Sequence, residues 1–387
     1  MHNILPTLRQ NLNTLISTPS VSCVNPEFDQ SNRAVIDLLA TWLHDLGFRV
    51  EVMPLASQPH KANLIATLGT GSGGLVLAGH TDTVPYDQHR WQSDPFQLIE
   101  RDQRLYGLGS ADMKSFFALA IEAAKQYQAK DLKEPLILIA TADEESSMDG
   151  AIALVDQGRP RARYAIVGEP TQLQPIRAHK GIMMESIRIT GRAGHSSDPS
   201  LGNNALEGMH KVLGELLHYR TDIQTRYHDV HFKVPYPTLN LGHIHGGDNP
   251  NRICAECELQ FDLRPLHGMD PHAIRAELKE RLERCLVDSG LTIELQPLIH
   301  GTMPMHTDKN AAIVQLAEKL TGHSAQSVAF CTEGPYYNQL GMQTIILGPG
   351  HIDQAHQPNE YLALDQINPT IQLLRDVIER CCVRADL

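Results

Sequence analysis

Four short apolar runs, each broken off by residues that bind metals, constrain this chain more than any other feature. They are Leu75-Val76-Leu77-Ala78 before His80 and Asp82, Leu136 to Ala140 before Glu144 and Glu145, Tyr164 to Val167 before Glu169, and Thr344 to Leu347 before His356. A continuous apolar run bounded by turn residues is the pattern of a strand buried in a largely parallel sheet. Helical stretches fall between them, notably Ser115 to Gln128. In open α/β sheets, ligands collect outside the carboxyl ends of the strands, and these polar residues hold that kind of position. The expected fold is α/β, with a mostly parallel central sheet.

Upstream, Leu5 to Ile16 reads as a helix, followed by a turn at Thr18-Pro19-Ser20. A second amphipathic helix spans Asn32 to Leu46, with Val35, Leu38, Leu39, Trp42 and Leu46 at helical spacing and Gly47 as its stop. The middle of the chain changes character. Met183 to Thr190 reads as a strand, Asn204 to Tyr219 as a helix, Thr238 to Ile244 and Ile253 to Leu263 as strands, Pro271 to Val287 as a helix, and Leu291 to Leu295 as a strand. That β-α-β-β-α-β order is ferredoxin-like. The expectation is an inserted α+β domain over 182–294, with the first domain split into 1–181 and 295–387. The segments 81–110 and 296–310 read as loops.

Composition narrows the class. A chain of 387 residues suits two large domains, and 42% hydrophobic residues supply a core without staples. A net charge of −12 argues against nucleic acid, which needs a basic face. No apolar run approaches the ~18 residues of a membrane span. The start, MHNILPTLRQNLNTL, lacks the basic and apolar regions of a secretory signal. Seven cysteines without regular spacing fit a reducing cytoplasm.

Each polar motif alone has a plain alternative. In Gly79-His80-Thr81-Asp82, a histidine and an aspartate two apart can point to one side, or can sit in an ordinary polar loop. Asp112, in Tyr106-Gly107-Leu108-Gly109-Ser110-Ala111-Asp112-Met113-Lys114, can cap the helix that follows. The acids Asp143, Glu144 and Glu145 repel one another unless solvated or neutralised by cations. Taken together, His80, Asp112, Glu145, Glu169 and His356 offer two imidazoles and three carboxylates. That donor set suits zinc, and also cobalt or manganese. A shared carboxylate can hold two metals ~3.5–4 Å apart and activate a hydrolytic water. Successive side chains diverge, so one of Glu144 and Glu145 can bind metal while its neighbour accepts the water's proton.

GHTDTVP, YGLGSADMK, ATADEES, VGEPT and QAHQPNEY resemble the M20 family of co-catalytic zinc amidohydrolases. The resemblance covers nearly the whole chain, including the inserted domain. RAHKGI, GHSSDPSLGNNA, TLNLGHIHGGDNPNRICAECEL and LGPGHIDQAHQPNEYL narrow it to members that deacetylate an amino acid. It implies a metallopeptidase-like catalytic domain and two divalent ions per chain, Zn2+ with Co2+ as the alternative. His80 and Glu169 would bind one ion, Glu145 and His356 the other, and Asp112 would bridge them. Glu144 would be the general base, and Asp82 would orient His80 through its second ring nitrogen. The family often has glycine after the ADMK stretch, where this chain has Ser115.

The resemblance also assigns His195, in Gly194-His195-Ser196-Ser197-Asp198-Pro199, to the oxyanion of the transition state, in its own or a partner subunit's site. A capping turn is the alternative. Arg264 is a suitable fork for the substrate's carboxylate, with Asn251 nearby, although Arg264 could instead pair with a surface acid. Thr332 and Glu333 precede a Gly334-Pro335 turn and are expected at the substrate, with Glu333 drawing a distal ammonium; a loop cap is the alternative. Lys180 sits at the expected hinge beside Gly181. Cys254 and Cys257 form a single CxxC on an alternating strand and are not expected to bind metal. The partners implied are a small-molecule substrate and a second copy of the chain, joined through edge strands of the inserted domain. Rivals are amidohydrolases that remove succinyl groups or cut dipeptides, and a non-catalytic metal-binding protein. A pure binder has no use for an unligated acid beside its ligands. A metallophosphoesterase would favour basic groups around the metals, and these loops are acidic.

Overall fold

The computed structural model describes residues 5–387; the first four residues of the expected first domain lie outside that range. The chain forms two compact units. One comprises the residues up to Ala178 with His306–Gln326 and Thr332–Leu387, and the other comprises His179–Met305 with Ser327–Cys331.

The large sheet is mixed, not mostly parallel. Its four central strands, in the order Leu136–Thr141, Leu75–His80, Tyr164–Pro170 and Gln343–Gly348, are parallel. These are the four apolar runs, and almost every residue in them is buried. The flanks run antiparallel. Arg49–Pro54 pairs with Ala62–Leu68, which pairs with Leu136–Thr141, and Ile176–His179 adds the other side. The short link from Pro54 to Ala62 explains one flank, because a parallel crossover needs a dozen residues or more.

Lys114–Ala124 is buried along its whole length and packs against Pro6–Ile16 and Ile367–Ile378. It stops short of the expected Gln128. There the Gln128 and Asp131 side chains cap a separate short turn, Ala129–Asp131. Helix Arg33–Asp45 buries Val35, Ile36, Leu39 and Leu43. Gly47 follows it at φ +86°, a backbone region that favours glycine. Residues 81–110 are not all loop. Ile99–Arg101 and Arg104–Tyr106 form a hairpin closed by Asp102 and Gln103, both at positive φ, and Tyr361–Ala363 adds a third strand.

The second unit has a four-stranded antiparallel sheet in the order Thr238–Gly246, Glu256–Arg264, Met183–Thr190 and Thr292–Pro297. With helices Ala205–Arg226 and Pro271–Cys285 between the strands, this is the ferredoxin-like arrangement. Burial alternates along Met183–Thr190 and Glu256–Arg264, so one sheet face meets the helices. The first helix runs seven residues past the expected Tyr219, to Arg226. No described helix is long and apolar enough to cross a membrane, and all seven cysteines are free thiols.

Candidate metal centre

The parallel strands bring the polar loops together. His80 ends its strand directly opposite Thr141, so the loops bearing Asp82 and Glu144-Glu145 leave the sheet side by side. Glu169 lies within its strand, one residue before the end, and not after it. Asp112 lies two residues before helix Lys114–Ala124. His356 follows strand Gln343–Gly348 and takes a left-handed φ of +61°.

His80 Nε2 lies 3.0 Å from Asp112 Oδ1 and 3.6 Å from Glu169 Oε1. His356 Nε2 lies 2.9 Å from Glu145 Oε2 and 3.7 Å from Asp112 Oδ2. Asp112 thus turns one oxygen toward each imidazole. Ligand atoms of His80, Asp112 and Glu145 fall within 4.8 Å of one another, as do those of His80, Glu144 and Glu169. His80, Asp112 and Glu169 are buried, whereas His356 is exposed. His80 Nδ1 meets the Asp82 main-chain oxygen at 3.0 Å, closer than the Asp82 carboxylate at 3.6 Å. The other carboxylate oxygen of Asp82 accepts the Glu145 amide at 3.0 Å. Asp82 therefore orients His80 chiefly through its backbone, and its side chain positions Glu145.

The electrostatics call for positive charge. Burial, with repulsion from Asp112 and neighbouring acids, pushes Glu144 and Glu169 well above the usual carboxylate range and Glu145 above it. For Asp112, burial is again the largest influence, but contacts with His80 and His356 outweigh it and lower the pKa. Burial opposes charge on His80, yet Glu169, Asp112 and Asp82 hold the imidazolium well above the usual histidine range. The bond to Glu145 is the main reason His356 is pushed up to about 9. Crowded acids with two imidazole nitrogens fit one or two divalent cations.

Two neighbours, Lys61 and Glu360, were given no role by the sequence. Asp143, first of the acidic run, turns away from the cluster. It accepts Lys61 Nζ at 2.6 Å, Ser22 Oγ at 2.8 Å and Gln58 Nε2 at 3.1 Å. Lys61 also reaches Asp29 at 2.7 Å. Glu360 is buried against the Asp112 loop. Lys61 is a lone lysine before an apolar strand, and only its isolation there could have drawn notice.

Thr332 and Glu333 are placed differently from expectation. Glu333 is fully buried, with Thr141 Oγ1 2.6 Å from one carboxylate oxygen and Tyr337 OH 3.0 Å from the other. Both oxygens are thus engaged by side chains of this chain, and the carboxylate is closed to solvent. Thr332 Oγ1 accepts the Gly334 amide at 3.0 Å, the cap that was the alternative. In the second unit, His195 is exposed, and its Nδ1 accepts from Ser197 Oγ at 2.7 Å. Its loop meets that of Asn251 through a Ser196 amide to Asn251 carbonyl bond of 3.2 Å. Arg264 Nε donates to Asp262, two residues before it on the same strand, at 3.0 Å; pairing with an acid was its alternative. Lys180 is buried and donates to the Tyr236 carbonyl at 2.6 Å. Burial, with the Arg264 charge, lowers its pKa to about 8.

Residues 76–380 match the model of peptidase family M20/M25/M40, and the chain belongs to that family. It is 49% identical over 379 residues to an acetylornithine deacetylase of Pasteurella multocida, covering 98% of this chain and 99% of that one. It is 50% identical over 387 residues to an acetylornithine deacetylase of Klebsiella pneumoniae, covering 99% and 100%. Among solved structures, an M20 family metallo-carboxypeptidase from Sulfolobus solfataricus shares the fold. Its TM-score is 0.75 at 17% identity, over 97% of this chain and 99% of that one. A tripeptidase from Staphylococcus aureus does so at 0.73 and 21%, over 96% and 97%.

Proposed function

We propose that this chain hydrolyses N2-acetyl-L-ornithine to L-ornithine and acetate, a step of arginine biosynthesis, in the cytoplasm. The observation that carries this reading is the full-length likeness, near one residue in two, to acetylornithine deacetylases. The donor set at the strand ends supports it.

Under this reading, His80 and Glu169 would hold one divalent ion and Glu145 and His356 the second, with Asp112 shared. Zn2+ is the first candidate and Co2+ the second. Bound there, the ions would polarise the amide carbonyl and acidify the attacking water. The chain's own residues do the rest. Glu144, which makes no ion pair among the described residues, takes the proton from the water and returns it to the leaving α-amine. Asp82 fixes His80 through its main-chain oxygen and Glu145 through its carboxylate. His195 donates to the developing oxyanion, and Arg264, with Asn251 and Lys180, meets the substrate carboxylate. The working unit is a homodimer, and the exposed edge strand Thr238–Gly246 offers the second copy a surface.

The test is acetate release from N2-acetyl-L-ornithine by metal-loaded and chelated protein, beside N-succinyl-diaminopimelate and dipeptides. Metal-dependent turnover that favours acetylornithine is expected. Preference for a succinyl amide or a dipeptide would overturn the substrate, and turnover indifferent to chelation would overturn the mechanism.

A further inference from the structure

We infer that Glu360 is a positioning residue for the metal centre, clamping the backbone of the Asp112 loop to the segment that carries His356. The inference rests on the two-ion reading proposed above.

Glu360 is 1% exposed. Its Oε1 accepts the amides of Ala111 at 2.7 Å and Asp112 at 3.0 Å, and its Oε2 accepts the Gly109 amide at 3.0 Å. Its main-chain oxygen accepts the Gly107 amide at 3.1 Å. Three amides of one loop converge on a single carboxylate, a backbone anion nest. Gly109 sits at φ +82°, and a side chain there would press on Thr83 and Lys114. Among the described residues Glu360 makes no ion pair, so the nest is its chief compensation for burial.

The position of the nest gives the inference its content. Asp112 presents its two oxygens to His80 and His356, and its own amide is one of those Glu360 holds. His356 lies four residues before Glu360 on the same segment, and Tyr361, next along, pairs with Tyr106 at the start of the Asp112 loop. One side chain therefore ties together two ligands 244 positions apart in sequence. A bridging carboxylate must serve two ions at once, so its tolerance for backbone drift is small.

A glutamine at 360 keeps the shape and one acceptor oxygen, but its NH2 must then face an amide donor of the loop. An aspartate keeps the charge and draws it back by one methylene. The experiment titrates Zn2+ into chelated wild type, Glu360→Gln and Glu360→Asp against a chromophoric chelator. Melting is recorded with and without Zn2+, and kcat and KM follow on the loaded proteins. Glu185→Gln serves as a structural control, because Glu185 is a fully buried acid of the second unit, paired with Arg275.

Glu360→Gln is expected to lose tenfold or more in affinity for at least one ion and to melt with a smaller Zn2+-induced rise. Its kcat should fall while KM changes less than twofold. Glu360→Asp should lie between it and wild type. Glu185→Gln should melt earlier yet keep both affinities. Wild type that binds two ions beside a Glu360→Gln of equal affinity and kcat overturns the inference alone. Equal losses of affinity in Glu360→Gln and Glu185→Gln overturn it too, since the effect is then general. Wild type that takes up no ions overturns the two-ion reading, and the inference with it. If Glu360→Gln does not fold, Glu360→Asp carries the same comparison.

Discussion

Lys61 Nζ stands 2.6 Å from Asp143 Oδ1, with both side chains closed to solvent. The ion pair joins the residue before strand Ala62–Leu68 to the acid before Glu144, and so holds the loop that carries Glu144 and Glu145. Lys61→Met leaves Asp143 buried without a cation, which typically costs about 3–5 kcal/mol. Lys61→Met/Asp143→Asn removes both charges and should recover part of that loss. Urea unfolding of the two variants measures the difference. A double variant no more stable than the single one would show that the pair is not the link.

Glu144→Gln should keep the bound metal and lose about 10²–10⁴-fold in kcat, the usual share of a general base. Elemental analysis beside kinetics separates the roles of the two adjacent glutamates. Metal lost together with activity would make Glu144 a ligand. Unchanged activity would remove it from the mechanism.

His356→Ala should lower the metal content by up to one ion per chain. The residue lies 187 positions after Glu169, so only the fold can bring it to the cluster. Two tightly held ions with full activity in the variant would mean that His356 is not a ligand.

The grouping of His80, Glu145, Glu169 and His356 was legible because buried strands need long apolar runs, and these residues lie at or just beyond the ends of those runs. Asp112 follows no such run, lying instead two residues before helix Lys114–Ala124, and only the family resemblance singled it out as the bridge. The antiparallel flank was not legible, since Arg49–Pro54 alternates with only Met53 fully buried. The roles of Lys61 and Glu360 were silent for a different reason, although Glu360 lies in the quoted QAHQPNEY stretch. Each acts on a loop distant in sequence, 82 positions away for Lys61 and Asp143, and no local period records such a contact. The burial of Glu333 was not legible either, because its neighbours Thr141 and Tyr337 meet it only in three dimensions.

His179 makes acid stability a test of burial outside the metal cluster. It is fully buried, and burial lowers its pKa from the ordinary 6.5 to about 4. The folded state favours neutral imidazole, so its contribution is complete above about 6.5. It shrinks as pH falls toward 4, by at most about 1.4 kcal/mol per pH unit. Urea unfolding of chelated wild type and His179→Gln at pH 7 and pH 5 should give the variant the shallower loss. Parallel losses would show that His179 is not the group responsible.

His195→Ala should reduce kcat by about 10²–10³-fold with a small effect on KM, because an oxyanion donor acts mainly in the transition state. The residue belongs to the second compact unit, exposed beside Ser197, so the question is whose site it serves. If each site takes His195 from the other subunit, mixing His195→Ala with Glu144→Gln protein builds dimers with one intact composite site and one doubly damaged site. Random exchange makes half the dimers mixed, so about a quarter of wild-type activity should return from two nearly inactive stocks. Native mass spectrometry verifies the exchange. No recovery in a sample with proven mixed dimers would place His195 in its own chain's site, reached by closure of that chain alone.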